Sequence, residues 1–448
     1  MIDCRADEEQ PAMGKRVPSL LTRFWFWSIV ISLPLNLCAQ SNQRTQERPK
    51  IKDFGSSLKR TRWDPIKQQA VVDNPDVKAK DDNDVDVVKV ETSLVSNDVL
   101  VMDARGNTID GLTENDFLIS EDGTPQKLGM FSTGANTNVA RTIVLIIDYS
   151  ASQMPFIETS IAAAKTLIDK LGPLDRMALV DDDVEMIQDF TTDKNKLKDK
   201  LESLRKRASS GNHRLGRFGE SKQYSALFAT LNEAFIDDDK RPIVIFQTDG
   251  DQLALLRNSP MNPEEPPNPG KQVGPRRLLQ DERTSFSLDD LYRAAEKSRV
   301  TIYTVVPGFR LIGLSRDEQI KQVKANMEER WQAVAMITHR KMPESARQQI
   351  ERPEVLEYNR QMNLLMQNAL ASVAILSGGW LMFLEKPEQA DETYSLILSD
   401  INRRYLVGYY PTNKEHDGKR RKLEMSVRNH PDYKVVGRKW YYAPQPDQ

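Results

Sequence analysis

Short apolar runs alternate with helical periodicity through the middle of the chain. Ile143-Val144-Leu145-Ile146-Ile147, Met177-Ala178-Leu179-Val180, Ile243-Val244-Ile245-Phe246 and Val300-Thr301-Ile302-Tyr303-Thr304-Val305-Val306 are unbroken and largely aliphatic, which predicts strands buried on both faces. Between them, residues 157–171, 195–204, 225–235 and 288–298 read as helices. In the first, Ile161, Ala164, Leu167 and Ile168 form one apolar stripe, and Gly172-Pro173 ends it. Strand and helix alternating at this spacing predict an α/β domain over 140–385, with a doubly wound, mostly parallel sheet. The sheet pattern is expected to resume at Leu370-Ala371-Ser372-Val373-Ala374 and again at Trp380-Leu381-Met382-Phe383.

Strand-like alternation flanks this middle on both sides. An N-terminal segment, 87–135, contains Val88-Lys89-Val90, Asp98 to Asp103, and Asp116 to Glu121 followed by the Asp122-Gly123 turn. A C-terminal segment, 400–444, contains Tyr405 to Tyr410, Lys422 to Val427 and Tyr433 to Val436. Two hairpins alone are marginal in water. The two segments are therefore expected to form one flanking β-sandwich, with the α/β domain inserted in it; two separate β modules are the alternative.

Two stretches break the pattern. A Pro-rich run at 259–275 is expected to be a loop, because so many backbone donors are missing. Residues 309–357 are dominated by Arg, Lys, Glu and Gln and read as a charged helical insertion. It is either a solvated helix pair or a partner-binding arm.

At the N-terminus, Lys15, Arg16 and Arg23 precede Phe24-Trp25-Phe26-Trp27-Ser28-Ile29-Val30-Ile31, and Ala39 suits cleavage before Gln40. Residues 1–39 thus read as a signal peptide, with an uncleaved anchor as the alternative, and the chain is expected to be exported, periplasmic or secreted. Cys4 and Cys38 both lie in this leader, so the mature chain would fold without disulfides. Residues 40–86 are polar and charge-rich and read as a disordered linker. The whole chain, 448 residues with a formal net charge of −2, lacks the basic excess that marks nucleic-acid binders. No stable membrane insertion is expected after cleavage.

The candidate chemistry sits where the strands run out. Asp148-Tyr149-Ser150-Ala151-Ser152 follows the first buried run, and Thr248-Asp249-Gly250 follows the run at 243–246. In open α/β sheets that edge is where ligands bind. An extended segment would aim residues 148, 150 and 152 the same way, delivering one carboxylate and two hydroxyls to one point. With Ser225 and Asp249 they make an oxygen donor set suited to a hard divalent cation, Mg²⁺ first and Mn²⁺ or Ca²⁺ as alternatives. Singly, each has an ordinary explanation: Asp148 as a helix N-cap, Asp249-Gly250 as a turn.

The same residues, in the same order, resemble the metal-ion-dependent adhesion site of von Willebrand factor A-like domains. That pattern is D-x-S-x-S, a distant Thr and a distant Asp within T-D-G. The resemblance covers about 141–308 and resumes at about 370–383, and it implies a Rossmann-like fold. Phe117 to Gly123 before the domain, Tyr405 to Pro411 after it and the closing Arg438 to Pro444 are similar to secreted bacterial VWFA-related domain proteins of the acidobacterial type. Ser225 departs from the usual Thr, which keeps the hydroxyl but loses the β-branch that stiffens the rotamer. Asp181-Asp182-Asp183 stands where an apolar strand end is usual. It suggests an early loop or an acidic rim, read as an exposed acidic turn, with a separate Ca²⁺ site as the alternative.

What the resemblance implies is recognition: the cation keeps one position for a carboxylate offered by a protein partner. The expected function is an exported, metal-dependent protein–protein interaction module, not an enzyme. One rival is a structural protein with a vestigial metal site that binds through its β-sandwich or charged insertion. Another is a metal-dependent hydrolase, for which a serine nucleophile would need a His base. His213, His339, His416 and His430 are not set by sequence to meet Ser150.

Overall fold

A computed structural model describes residues 50–73, 94–133, 140–209, 221–236, 241–261, 283–339 and 341–444. The expected signal peptide, Val88-Lys89-Val90 and most of the Pro-rich run lie outside these residues. Residues 50–73 correct the expectation of a disordered linker over 40–86, of which 40–49 and 74–86 lie outside the described residues. A short helix α1 (Ser56–Arg60) leads into a hairpin of β1 (Thr61–Asp64) and β2 (Gln69–Val72). Ile51, Phe54, Leu58, Ala70 and Val72 pack onto the central core. Backbone donors are held by distant carboxylates: Gly55 N and Ser57 N on Glu233 at 2.8 and 2.6 Å, and Ala70 N on Asp290 at 2.8 Å. Five apolar residues without a period carry no signal in sequence, because their partners are supplied by other elements.

The next strands are β3 (Val95–Met102), β4 (Phe117–Glu121), β5 (Thr124–Gln126) and β6 (Leu128–Ser132). The α/β body then runs β7 (Arg141–Ile147), α2 (Ile157–Lys170), β8 (Arg176–Asp181), β9 (Met186–Thr191), α3 (Lys194–Ser209), α4 (Gln223–Glu233) and β10 (Arg241–Gln247). It continues with α5 (Leu288–Lys297), β11 (Thr301–Pro307), α6 (Arg316–Thr338), α7 (Glu344–Glu351), α8 (Pro353–Leu376), β12 (Leu381–Leu384) and α9 (Ala390–Arg403). The chain closes with β13 (Tyr405–Tyr409), β14 (Arg420–Val427), β15 (Lys434–Val436) and β16 (Trp440–Tyr442).

The central sheet has the order β12-β11-β10-β7-β8-β9, parallel throughout except for the β8/β9 hairpin. Alternation along its strands splits the core in two. Ile143, Leu145 and Ile147 of β7, with Ile243 and Ile245 of β10, pack under α2, α3 and α9. Val144, Ile146, Val244 and Phe246 pack under α4, α5 and α8. This is the doubly wound α/β arrangement expected from the apolar runs.

Two further sheets, β15-β3-β13-β6 and β16-β14-β4-β5, each mix strands from before and after the α/β body. They share one core, in which Val99, Phe117, Ile119, Tyr405, Val407, Leu423 and Tyr441 meet. The flanking β-sandwich is thus a single unit built from both ends of the chain, not two modules.

Three local expectations are corrected. Leu370-Ala371-Ser372-Val373-Ala374 is the end of α8, not a strand. Leu370, Val373 and Ala374 are buried at helical spacing, and a five-residue apolar run cannot be assigned by periodicity alone. Strand β9 follows Asp181-Asp182-Asp183, which forms the turn of a hairpin: Asp181 Oδ1 accepts Asp183 N and Glu185 N at 3.1 and 3.0 Å. The charged insertion at 309–357 comprises α6, α7 and the start of α8, with a small core of Leu311, Val323 and Leu356. Its far boundary falls inside α8, whose later turns belong to the main core.

Buried ion pairs join sandwich to body. Arg241, at the start of β10, donates to Asp98 Oδ1 of β3 at 2.9 Å and to the Ile401 carbonyl at 3.0 Å. Arg404 donates to Asp400 Oδ2 at 2.7 Å, and Tyr303 Oη donates to the same oxygen. Removing one partner of a buried pair leaves the other charge uncompensated. Arg241→Met is therefore expected to destabilise the protein by about 3–5 kcal/mol in chemical denaturation; a loss under about 1 kcal/mol would show that the pair is not a structural anchor.

Candidate metal centre

Register brings the site together. β7 and β10 pair in parallel with Ile147 opposite Gln247, so both strands end at the same level. Asp148 N still donates to the Gln247 carbonyl at 3.0 Å, and Thr248 N to the Val305 carbonyl at 3.1 Å. Asp148 and Thr248 thus leave the sheet side by side, both buried.

From there, local turns set the side chains. Asp148 Oδ1 accepts Ser150 N at 2.9 Å, and residues 151–156 form a 3₁₀ turn rather than the extended segment the sequence suggested. That turn places the Ser150 and Ser152 hydroxyls 3.0 Å apart, and the Ser150 hydroxyl also bonds to Asp148. On the other loop Gly250 has φ 77, and a Cβ there would lie 2.9 Å from Tyr224 Oη. Glycine is required at this position on both counts. Gly250 N donates to Thr248 Oγ1 at 2.9 Å and Asp251 N to Asp249 Oδ1 at 3.3 Å, which folds Asp249 and Asp251 onto the same side.

The result is a triad. Asp148, Asp249 and Asp251 each offer a carboxylate oxygen, all within 4.8 Å of one another. Two unit charges at that distance repel by about 3–4 kcal/mol at an effective dielectric of about 20. Polar donors hold the triad as it stands. Thr248 Oγ1 and Gln223 Nε2 donate to Asp148 Oδ2 at 2.8 and 2.9 Å, and Gln223 Nε2 also donates to Asp251. Arg330 Nη2 lies 3.3 Å from Asp249 Oδ2.

Burial raises Asp148 to about 6, with the charge of Asp249 adding to it and hydrogen bonds from Ser150 and Gln223 opposing it. Asp251 is raised to about 7 by burial and then by Asp249 and Asp148. Carboxylates gathered and held up in this way are short of positive charge. Their oxygens, with the Ser150 and Ser152 hydroxyls beside them, are the hard donors that Mg²⁺, Mn²⁺ or Ca²⁺ takes. The triad contains no thiolate or imidazole to favour a softer ion.

Of the residues singled out in sequence, Asp148, Ser150, Ser152 and Asp249 converge. Ser225 is placed differently: its Oγ accepts Gln252 Nε2 at 2.8 Å and its N donates to Gln252 Oε1 at 3.0 Å. Gln252 N in turn donates to Gln223 Oε1 at 3.2 Å, so Ser225 reaches the acids through two amides. The side chain on Asp148 from this helix is Gln223, two residues earlier and longer. Gln223, Asp251 and Arg330 were missed by sequence reasoning, and Thr248 was quoted there only within Thr248-Asp249-Gly250, without a role. Only Asp251 carried a signal, an acid spaced i, i+2 from Asp249 across a glycine. The acidic stretch braces the site: Asp182 accepts Tyr149 N at 3.2 Å through Oδ1 and Ser221 Oγ at 3.3 Å through Oδ2.

No family model and no curated protein matches the chain. Solved structures similar to it include the vWF domain of the type V pili tip protein Mfa5 from Porphyromonas gingivalis, at 15% identity and TM-score 0.34, covering 59% of this chain and 95% of that one. Conserved hypothetical protein BatB from Bacteroides thetaiotaomicron gives 13% identity and TM-score 0.32, covering 58% and 98%. Manganese-loaded Plasmodium vivax TRAP protein gives 12% and 0.28, covering 74% and 100%.

Carboxylates with raised values make the metal-free fold bind more protons than the unfolded chain between about pH 4 and pH 7. Their contribution favours folding below about pH 4 and is lost as pH rises through 6 to 7. In chelator, stability should therefore fall from pH 5 to pH 8, and Asp251→Asn should stabilise the protein at pH 8 more than at pH 5. An equal effect at both values, in denaturant melts, would contradict the charge crowding.

Proposed function

We propose that the protein is an exported interaction module of the von Willebrand factor A-like type, in which a divalent cation at the acid triad recognises an acidic group of a protein partner. Convergence of Asp148, Asp249 and Asp251 at one end of the sheet is the observation that supports it. Asp148, Asp249 and Asp251 would hold the ion, with Ser150 and Ser152 as hydroxyl donors. When bound, it supplies a Lewis-acidic position that a carboxylate completes. Thr248 and Gln223 orient Asp148, and the Gly250 turn sets the spacing of the other two acids.

Binding rather than turnover fits the surroundings of the serines. The Ser150 hydroxyl is paired with the Ser152 hydroxyl and Asp148, neither of which is the imidazole base a serine nucleophile uses. Export is proposed from the N-terminal leader. No helix among the described residues is long and apolar enough to cross a membrane.

The test is calorimetric titration of Mg²⁺, Mn²⁺ and Ca²⁺ into the chain from Gln40 onward. Saturable binding at one site is expected for at least one ion, abolished by Asp148→Ala. Asp251→Asn should weaken it by at least about tenfold, more than Ser225→Ala does, because Asp251 faces the triad and Ser225 acts through Gln252 and Gln223. No binding in the unsubstituted protein would favour a vestigial site, and metal-dependent hydrolysis lost in Asp148→Ala would favour an enzyme.

A further inference from the structure

The charged insertion reaches the acid triad. Helix α6 packs against the 151–156 turn, and Arg330 on it is the basic side chain paired with Asp249. The contact is loose in three respects. At 3.3 Å it exceeds the roughly 2.7–2.9 Å of a good charge-assisted bond. The Arg330 side chain is 40% exposed. Its Nε is buried with no hydrogen-bond partner among the described residues, as is Gln153 Oε1, and both residues line a cavity of about 10 Å³ beside Asp249. Nearby on α8, Arg360 shows what a settled pair looks like, with Nε and Nη2 on the two oxygens of Glu357 at 3.0 and 2.6 Å.

A buried donor without a partner is costly, so Arg330 does not sit where its own hydrogen bonding is best met. It lies instead against the negative charge gathered at the triad, 3.3 Å from Asp249 and close enough to act on Asp251. We infer that Arg330 is an internal counter-cation, neutralising Asp249 in the metal-free protein, holding α6 over the triad and giving way when a divalent cation binds there. This rests on the triad being a cation site. It assigns the insertion a regulatory role: loading the site and loosening α6 are two sides of one coupling, which must be reciprocal. An acidic partner would then meet the site only after the insertion has yielded.

A merely structural Arg330 makes a different prediction. Exposed ion pairs contribute little to stability, and losing one would leave cation affinity unchanged. The experiment is MnCl₂ titration into the chain from Gln40, R330Q and R330K, with hydrogen exchange of 316–338 followed before and after loading. R330Q should bind Mn²⁺ about three- to tenfold more tightly, R330K should stay near the unsubstituted protein, and loading should speed exchange of 316–338. Equal or weaker binding in R330Q, or exchange that does not change on loading, overturns the role of Arg330 while leaving the cation site standing. Failure of both the unsubstituted protein and R330Q to bind Mn²⁺ overturns the site as well.

Discussion

The site depends on the parallel pairing of β7 with β10. Both strands are apolar on both faces, and the pairing sets Ile143 against Ile243 and Ile147 against Gln247. A slip of one residue would move each strand's side chains to the opposite face, exchanging the sets that pack under α2, α3 and α9 for those under α4, α5 and α8. The core thus holds the register, and the register sets Asp148 beside Thr248. Each later feature of the site is a short turn hung from those two residues.

Such a site works against the fold that carries it. Burial, and then the charge of Asp249, raises Asp148 and Asp251, and the body must offset the repulsion of three carboxylates within 4.8 Å elsewhere. Two amides share the work, Gln223 between Asp148 and Asp251, and Gln252 between Gln223 and Ser225. Asp182 ties the loop after β7 to the entry of α4, since its carbonyl also accepts Lys222 N at 2.9 Å. The acidic run at 181–183 thus has a structural use: one residue makes the hairpin turn and the next braces the site loop.

Away from the site, the chain closes on itself. Strands from 95–132 and 405–442 interleave in both sheets of the sandwich, and Arg241, Asp98, Arg404 and Asp400 fasten it to the base of the central sheet. The triad sits beyond Ile147 and Gln247, whereas Arg241 lies at the other end of β10. The ion-pair anchor and the acid triad are therefore separated by the length of a strand. The insertion α6 to α8 joins the triad end, where α6 meets the 151–156 turn.

Much of this is legible in the sequence. Short, mostly β-branched runs repeated between helical segments point to strands buried on both faces, and they revealed the α/β class, most of the central strands and the edge at which Asp148 and Asp249 emerge. The Gly250 turn and the two serines were readable for the same reason: each is a local requirement. Tertiary structure alone decided what depends on distant partners. Residues 50–72 look polar and aperiodic, yet Glu233 and Asp290 capture their backbone donors. Leu370 to Ala374 has no intrinsic preference that separates strand from helix. Gln223 instead of Ser225 on Asp148, and Arg330 on Asp249, follow from the reach and angle of helices set by packing. Sequence determines which groups are available at a strand end, whereas the packing of α4 and α6 determines which of them touch.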